Sequence, residues 1–445
     1  MRMRSILVSG FKNIKKSRLE LENICAVVSP NNYGKSNLIE AIGFGFDFIH
    51  ESRKGRKTMM NWAKAIPLCS ALENEEFQFE VELEDETLGE YQYVRYGFSF
   101  RWYRDDGSGE VITDEWLEAR ENTSVRYSGF LKRKEGKYRK GKSTNAYRKI
   151  ELDELQLAID VLNLKEDIEL VPLVKCIQEI SFRVCSSLDL RDRYQPSPLE
   201  YIGDNEDSVR FDDEDVPRAL SLLKKNNPEM YGLFEDSVYS LFPEFTSISL
   251  NEYTIADQKQ PDKVVTLRVA EQKDESEKVE KEIPFKIREH IYRLFIKSEY
   301  LNQPLSIANM STGTKRIIWL LVNAFISNLA SAGIVGVEEV ETSIHPRMMR
   351  QLLEALSEAL GNSSLLVSSH SPYLIQYLKP EKIYIGLPNK DGVAEFRRIS
   401  KGKVKLLLSK AREMEISVGE YIFEMLSGDL DDYQILESFL EVSEK

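Results

Sequence analysis

The segment Val28-Ser29-Pro30-Asn31-Asn32-Tyr33-Gly34-Lys35-Ser36-Asn37 constrains this chain more than any other. It lies between an apolar run, Ile24 to Val28, and a helical run, Leu38 to His50. Strand, tight loop, Gly-Lys-Ser and helix, in that order, form the context that a phosphate-binding loop requires. In such a loop successive backbone N–H groups and the helix N-terminus point into one small volume, which suits a polyanion. Lys35 is then placed to reach the β- and γ-phosphates of a nucleotide, and Ser36 to offer its hydroxyl to Mg2+. Ser29 holds the place of the usual opening glycine, but it precedes Pro30, which favours an extended backbone open to any L-residue. Gly34, where a phosphate must come closest to the main chain, is kept. An accidental loop is the alternative, so the rest of the chain must supply the rest of a nucleotide site.

Composition narrows the setting. The chain has 445 residues, enough for two or three lobes, with 42% hydrophobic and 30% charged residues as in an ordinary soluble protein. No apolar run approaches the roughly 20 residues needed to span a bilayer, and Met1-Arg2-Met3-Arg4 leads into a short strand rather than a signal-peptide core. A cytoplasmic protein with no membrane partner is expected. Cys25, Cys69, Cys176 and Cys185 form no C-x-x-C pair, so buried thiols are expected rather than zinc ligands or disulfides. The net charge of -13 argues against a protein coated in nucleic acid, while leaving room for a local basic groove.

Ser5 to Phe11 and Ser17 to Leu21 read as two short strands, and Ile24 to Val28 as a third. From Glu75 to Tyr127 the pattern changes to period-two alternation, as in Phe77-Gln78-Phe79-Glu80-Val81-Glu82-Leu83, which predicts an antiparallel meander inserted after the loop helix. Lys132 to Lys142 is a basic run containing Tyr138. It reads as a solvated hairpin tip, with contact to a phosphate backbone as the alternative. Helical periodicity returns from about Ile150 to Cys185. The acidic stretch Asp204 to Asp215 reads as an exposed linker, Pro217 to Leu241 as two helices, Ser247 to Ile255 and Val264 to Ala270 as strands, and Gln272 to Glu282 as a charged turn.

Three later stretches follow in the order a nucleotide site needs. Met310-Ser311-Thr312-Gly313-Thr314-Lys315-Arg316 opens a helix, and a helix opened by serine and glycine offers its N-terminus to an anion. Ile334-Val335-Gly336-Val337-Glu338-Glu339 is a buried-strand pattern ending in two carboxylates, where Mg2+ and an attacking water are handled in parallel sheets. Side chains alternate along a strand, so the two glutamates cannot do the same job. Ser364 to Ser369 is a strand leading to His370, whose imidazole can change hydrogen-bonding roles near neutral pH.

With these motifs in order, the chain resembles the ABC-type AAA ATPases of the OLD, RecF and SMC class, especially short bacterial members of phage-defence systems. The resemblance rests on Gly10-Phe11-Lys12-Asn13, Ser29 to Ser36 with Asn37 to Ile42, Ser311 to Arg316, Val335 to Glu339 with Glu341 and His345-Pro346, and His370-Ser371-Pro372-Tyr373. It implies an α/β ABC-ATPase head, with a mixed or parallel sheet and flanking helices, carrying an inserted antiparallel β meander and a helical lobe. It implies that Ser29, Asn31, Asn32, Gly34, Lys35, Ser36 and Asn37 bind ATP, with Ser311 and Gly313 presented to the γ-phosphate by another protomer. Lys35, Glu339 and His370 would be catalytic, Glu339 positioning water and His370 sensing the γ-phosphate. Ser36 and Glu338 would hold Mg2+, and Gln78 is the candidate for the glutamine contact to Mg2+ expected of the class. Two positions depart from the family: Ser29 replaces the first glycine, and Glu338 stands where aspartate is usual.

The expected division is 1–74 and 286–395 as the two parts of the head, 75–130 as the meander, 131–285 as a helical and mixed insertion, and 396–445 as a tail or small helical cap. The resemblance implies a homodimer or higher homo-oligomer in which ATP bridges two heads, and a separately encoded effector, a nuclease, held or released by it. About 65 residues follow Leu378, too few to complete a nuclease sheet around Asp429-Leu430-Asp431-Asp432, so no intrinsic nuclease is expected. A RecF-like DNA-repair ATPase with ATP-gated DNA binding is the alternative.

Overall fold

The apolar pentad Ile24–Val28 is buried at every residue, as a strand covered on both faces must be. In the computed structural model it lies inside a six-stranded sheet ordered Phe182–Cys185, Ile334–Val337, Ser364–Ser368, Ile24–Val28, Ile383–Gly386, Phe396–Arg398, parallel throughout except for the last pair. The structure describes residues 1–134, 137–140, 148–149, 152–162, 171–185, 190, 192–195, 199–201, 215–255, 264–274, 277–329 and 333–442. Val337 pairs with Val367, Ser368 with Val27, and Val28 with Ile385. The strands therefore end nearly level, and whatever follows each of them gathers at one carboxyl edge, where open parallel sheets place their ligands.

The chain divides into two compact units. The first comprises Met1–Ser186, Ser327–Glu341 and Leu360–Lys445; the second comprises Ser187–Ile326 and Thr342–Ala359.

The first unit also holds the meander, as an eight-stranded antiparallel sheet ordered Ser17–Glu20, Arg2–Ser9, Phe77–Glu84, Tyr93–Arg101, Val111–Arg120, Ser128–Lys134, Lys137–Lys140, Arg148–Lys149. Its alternating apolar residues turn one face onto the helix Lys35–His50. Phe44 meets Phe77 at 5.1 Å between ring centroids, Phe46 meets Phe79 at 5.1 Å, and Phe48 meets Phe100 at 4.8 Å. Each buried ring stabilises the packing by roughly 1.5–3 kcal/mol. The far end of the helix is closed by the buried Arg56, which donates to the carbonyls of Phe48 and Ile49 at 2.9 Å and pairs with Asp160. A cation on the last carbonyls of a helix suits both their unmet acceptors and the helix dipole. The phosphate loop thus opens a helix that is fixed along its face and at its end.

In the second unit Phe245–Thr254, His290–Ser298 and Leu305–Ser306 form one three-stranded sheet, and Leu199–Tyr201, Glu277–Ile287 and Val264–Asp274 form another. The helices Val216–Asn226 and Pro228–Leu241 each begin with a proline near the N-terminus and a side-chain cap, Asp215 and Asn227. Asp215 is also paired with Arg218 and with the buried Arg288.

Several expectations need correction. Phe182–Cys185 is not helical but an edge strand parallel to Ile334–Val337. Gln272 to Glu282 is not a turn: its described residues lie in the paired strands Val264–Asp274 and Glu277–Ile287. In the basic run Arg133 is turned inward, 2% exposed, beside the fully buried Glu115 and the carbonyls of Gln156 and Asp153, while Lys132 and Lys134 are exposed. The remainder of that run from 141, and the acidic stretch before Asp215, lie outside the described residues. Residues 404–437 form three helices, Val404–Glu413, Val418–Ser427 and Leu430–Glu437. Asp429 and Asp432 are occupied as the capping box of the last of these. Among the described residues no helix is long and apolar enough to cross a membrane.

Candidate functional site

The phosphate loop lies at the carboxyl edge of the six-stranded sheet. Ser29 has no left-handed backbone, so the missing first glycine is not required; Asn32 at φ 59° and Gly34 at φ 129° make the turns instead. A Cβ on Gly34 would come within 3.0 Å of Asn13 Oδ1 and 3.1 Å of Ala394 Cβ, in a backbone region that L-residues avoid. No side chain caps the helix that follows, which leaves its N-terminus available to an anion. Lys35 is 7% exposed, and its ammonium donates to the carbonyls of Ser29 and Pro30 at 2.9 and 3.2 Å and to Ser29 Oγ at 3.4 Å. Burial pushes this amine down to about 8, against the opposing pull of Glu339 and Glu341. Asn31, Asn32 and Ser36 are exposed around it.

Two strands supply the other groups. Glu338 and Glu339 follow Ile334–Val337 directly. Glu339 adopts φ 47°, a left-handed conformation rare outside glycine, and its N–H donates to Ser368 Oγ at 3.2 Å. Glu338 donates its N–H to the Cys185 carbonyl at 3.4 Å, so the unforeseen edge strand helps seat it. His370 follows Ser364–Ser368 and is exposed at the edge. Burial first, then the Lys35 ammonium, hold its imidazole below the ordinary value of 6.5, with Glu339 and Glu341 acting the other way. Lys35, Glu339, Glu341 and His370 therefore share one electrostatic neighbourhood, although 335 residues of sequence separate the first from the last.

Ser311 and Gly313 belong to the second unit. Ser311 Oγ accepts from the Thr314 N–H at 3.1 Å and exchanges a hydrogen bond with Thr314 Oγ1 at 2.8 Å, opening the helix Thr312–Leu329. A Cβ on Gly313 would stand 2.5 Å from the Ser343 carbonyl, so the helix start requires a glycine there. Lys315 and Arg316 are buried, which leaves Ser311 and Thr312 as the exposed residues of the motif.

Two candidates are placed otherwise than expected. Asn37 donates its amide to Asn13 Oδ1 at 2.8 Å, so it braces the loop. Gln78 lies between Phe77 and Phe79, both fully buried against the loop helix; alternation sends Gln78 to the opposite face of the meander, beside its strand partners Ser9 and Ser99. That face is directed away from the helix that carries Ser36, so the geometry gives Gln78 no part in a shared metal site. Asn13, part of the motif Gly10 to Asn13 but given no role there, is the residue that shapes the loop: besides accepting from Asn37, it donates to the Tyr33 carbonyl at 2.9 Å and so ties the loop to the turn after the first strand. Ser368, the acceptor for Glu339, likewise has no role in the sequence reading.

The donors at the edge suit a hard cation: the exposed Ser36 hydroxyl, the half-buried carboxylates of Glu338 and Glu339, and a buried Glu341 oxygen, Oε2, with no hydrogen-bond partner among the described residues. Among the described residues no group of three or more His, Cys, Asp or Glu side chains could hold a metal ion.

Comparison with known proteins adds relatives. Residues 187–376 match the family described as "AAA domain, putative AbiEii toxin, Type IV TA system". A stretch of 91 residues is 29% identical to the "Retron Vc95 probable ATPase" of Vibrio cholerae serotype O1 biovar El Tor, covering 18% of this chain and 18% of that protein. Among solved structures, an SMC head bound to the C-terminal winged-helix domain of ScpA aligns over 91% of this chain and 100% of its own, at 14% identity and a TM-score of 0.49. The SMC head domain of Thermotoga maritima aligns over 90% and 100%, at 10% identity and a TM-score of 0.44. Alignments this loose add nothing to the strand order described above. The family match takes in the paired glutamates and the histidine, and the fold returns both to the phosphate loop that precedes the matched stretch. Over residues 187–376 the chain is thus similar to an AAA-domain family, and over a shorter stretch to a retron probable ATPase.

Proposed function

We propose that this chain binds ATP with Mg2+ in the cleft between the phosphate loop and Glu338, Glu339 and His370, and completes the site with Ser311 and Gly313 of a second copy. The resulting assembly holds or releases a separately encoded effector, a nuclease, in defence against phage. The observation that carries the reading is the common edge: the segments with Lys35, Glu339 and His370 follow three neighbouring parallel strands at their carboxyl ends. The retron-associated relative supports the defence setting.

An arriving phosphate takes over the Lys35 ammonium from the carbonyls of Ser29 and Pro30, while the uncapped helix start donates its N–H groups. Mg2+, when bound, would spread the charge of the β- and γ-phosphates, with Ser36 and Glu338 as its protein ligands. Glu339 orients the attacking water, and His370 donates to the γ-phosphate. Phosphoryl transfer of this kind is mostly positioning and charge stabilisation, so no covalent intermediate on the protein is needed. For the DNA-repair reading, Arg133 of the basic run is internal, while Lys132 and Lys134 are exposed.

Glu339→Gln tests the assignment. It keeps the loop intact, so ATP should bind as in wild type, hydrolysis should fall by at least about 100-fold, and the assembled state should accumulate in light scattering. Wild-type turnover in this variant would remove Glu339 from its role.

A further inference from the structure

Glu341 takes no step in the proposed hydrolysis, yet its carboxylate is tied to the strand end that carries His370. Its Oε1 accepts from the His370 N–H at 2.7 Å and from Ser369 Oγ at 3.0 Å. Ser369 Oγ in turn accepts from the Ser371 N–H at 3.0 Å. One carboxylate oxygen thus fixes the peptide of the switch histidine and, through Ser369, the residue that follows it. The other oxygen, Oε2, is buried and accepts nothing among the described residues. A buried carboxylate oxygen without a donor is costly, and such atoms persist mainly where function uses them. The charge of Glu341 also acts on both Lys35 and His370.

We propose that Glu341 is a positioning residue with two distinct ends: Oε1 holds the switch histidine, and Oε2 accepts a water that arrives with the nucleotide, so that filling of the cleft is felt at His370. This rests on the reading of the cleft as an ATP site. A plain structural brace would use only the first end; a glutamine would serve it equally well.

The chain has four histidines, so the imidazole Cε1–H signals of the full-length protein can be assigned with His370→Gln as the reference. Glu341→Ala should displace the His370 signal without nucleotide, and should lower kcat by about tenfold or more with KM for ATP nearly unchanged. Glu341→Gln keeps an accepting oxygen toward His370 but presents an NH2 group at the second end. It should leave the nucleotide-free His370 signal in place and still lower kcat by about tenfold. An unmoved His370 signal in Glu341→Ala overturns the hold on the switch, and wild-type kcat in Glu341→Gln overturns the use of the second oxygen. Failure of the wild-type chain to bind ATP would instead sink the ATP-site reading, because the nucleotide-free His370 signal still tests the hold by itself.

Discussion

Replacing Asn13 with alanine should weaken ATP binding although Asn13 touches no nucleotide in the proposed site. Its side chain makes two half-buried hydrogen bonds that shape the loop, to the Tyr33 carbonyl at 2.9 Å and from the Asn37 amide at 2.8 Å. Each such bond is worth about 1 kcal/mol net, so the cradle conformation loses about 2 kcal/mol relative to looser ones. The weak contact to Gly392 at 3.4 Å is exposed and adds little. If only the cradle binds ATP, its lower population raises Kd by up to about 30-fold. The loop can open locally, so the urea midpoint of the whole unit should move far less than Kd does. Titration of a fluorescent ATP analogue with Mg2+ reads the first quantity, and fluorescence-detected urea unfolding the second. A Kd within twofold of wild type refutes the reasoning. So does a double variant, Asn13→Ala with Asn37→Ala, whose losses simply add, because both changes remove the same bond.

Two further outcomes follow from the charges. Lys35→Met removes the second cause that holds His370 low, so its titration, followed by NMR, should move up toward the ordinary 6.5; an unmoved or lower midpoint would mean that loop and histidine do not share a site. Arg133→Met strands the Glu115 carboxylate, which has 0% exposure, and should cost about 3–5 kcal/mol in chemical unfolding. Burial already raises the Glu115 carboxyl above its ordinary 4.5, despite the bonds from Ala158, Ile159 and Tyr96 and the charge of Arg133. An acid raised in the folded state contributes stability below its unfolded value that is lost as pH rises through the folded one. The deficit of Arg133→Met should therefore be larger at pH 7 than at pH 4, and an equal deficit at both would contradict the burial of that charge.

What the sequence made legible was local. Ile24–Val28 reads as a fully buried strand because five apolar residues stand in a row, and Phe77 to Leu83 reads as a half-buried strand because its apolar residues alternate. The same alternation sets Gln78 on the polar face with Glu80 and Glu82; only the glutamine implied by the resemblance had pointed to it as a metal contact. Phe182–Cys185 is too short, and too mixed with Arg183, to announce a strand; it becomes one by pairing with Ile334–Val337, which lies about 150 residues later. The hairpin over Gln272 to Glu282 was hidden by its charges, although Val279, Ile283, Phe285 and Ile287 keep the period of two. Among site residues, those with a motif of their own were visible. Asn13, Ser368 and the two ends of Glu341 act through residues that only the fold brings near, so no local spacing could show their roles.

The central claim is that two copies of the chain build each site. Lys35→Ala should destroy the loop half of a site, and Ser311→Arg the half presented to a neighbour; each pure variant should be inactive. Mixed in equal amounts, they should regain a substantial fraction of wild-type ATP hydrolysis, because one site in a mixed pair joins an intact loop to an intact Ser311 motif. Activity that stays at the level of the pure variants, in a mixture shown by light scattering to form mixed assemblies, would contradict the composite site.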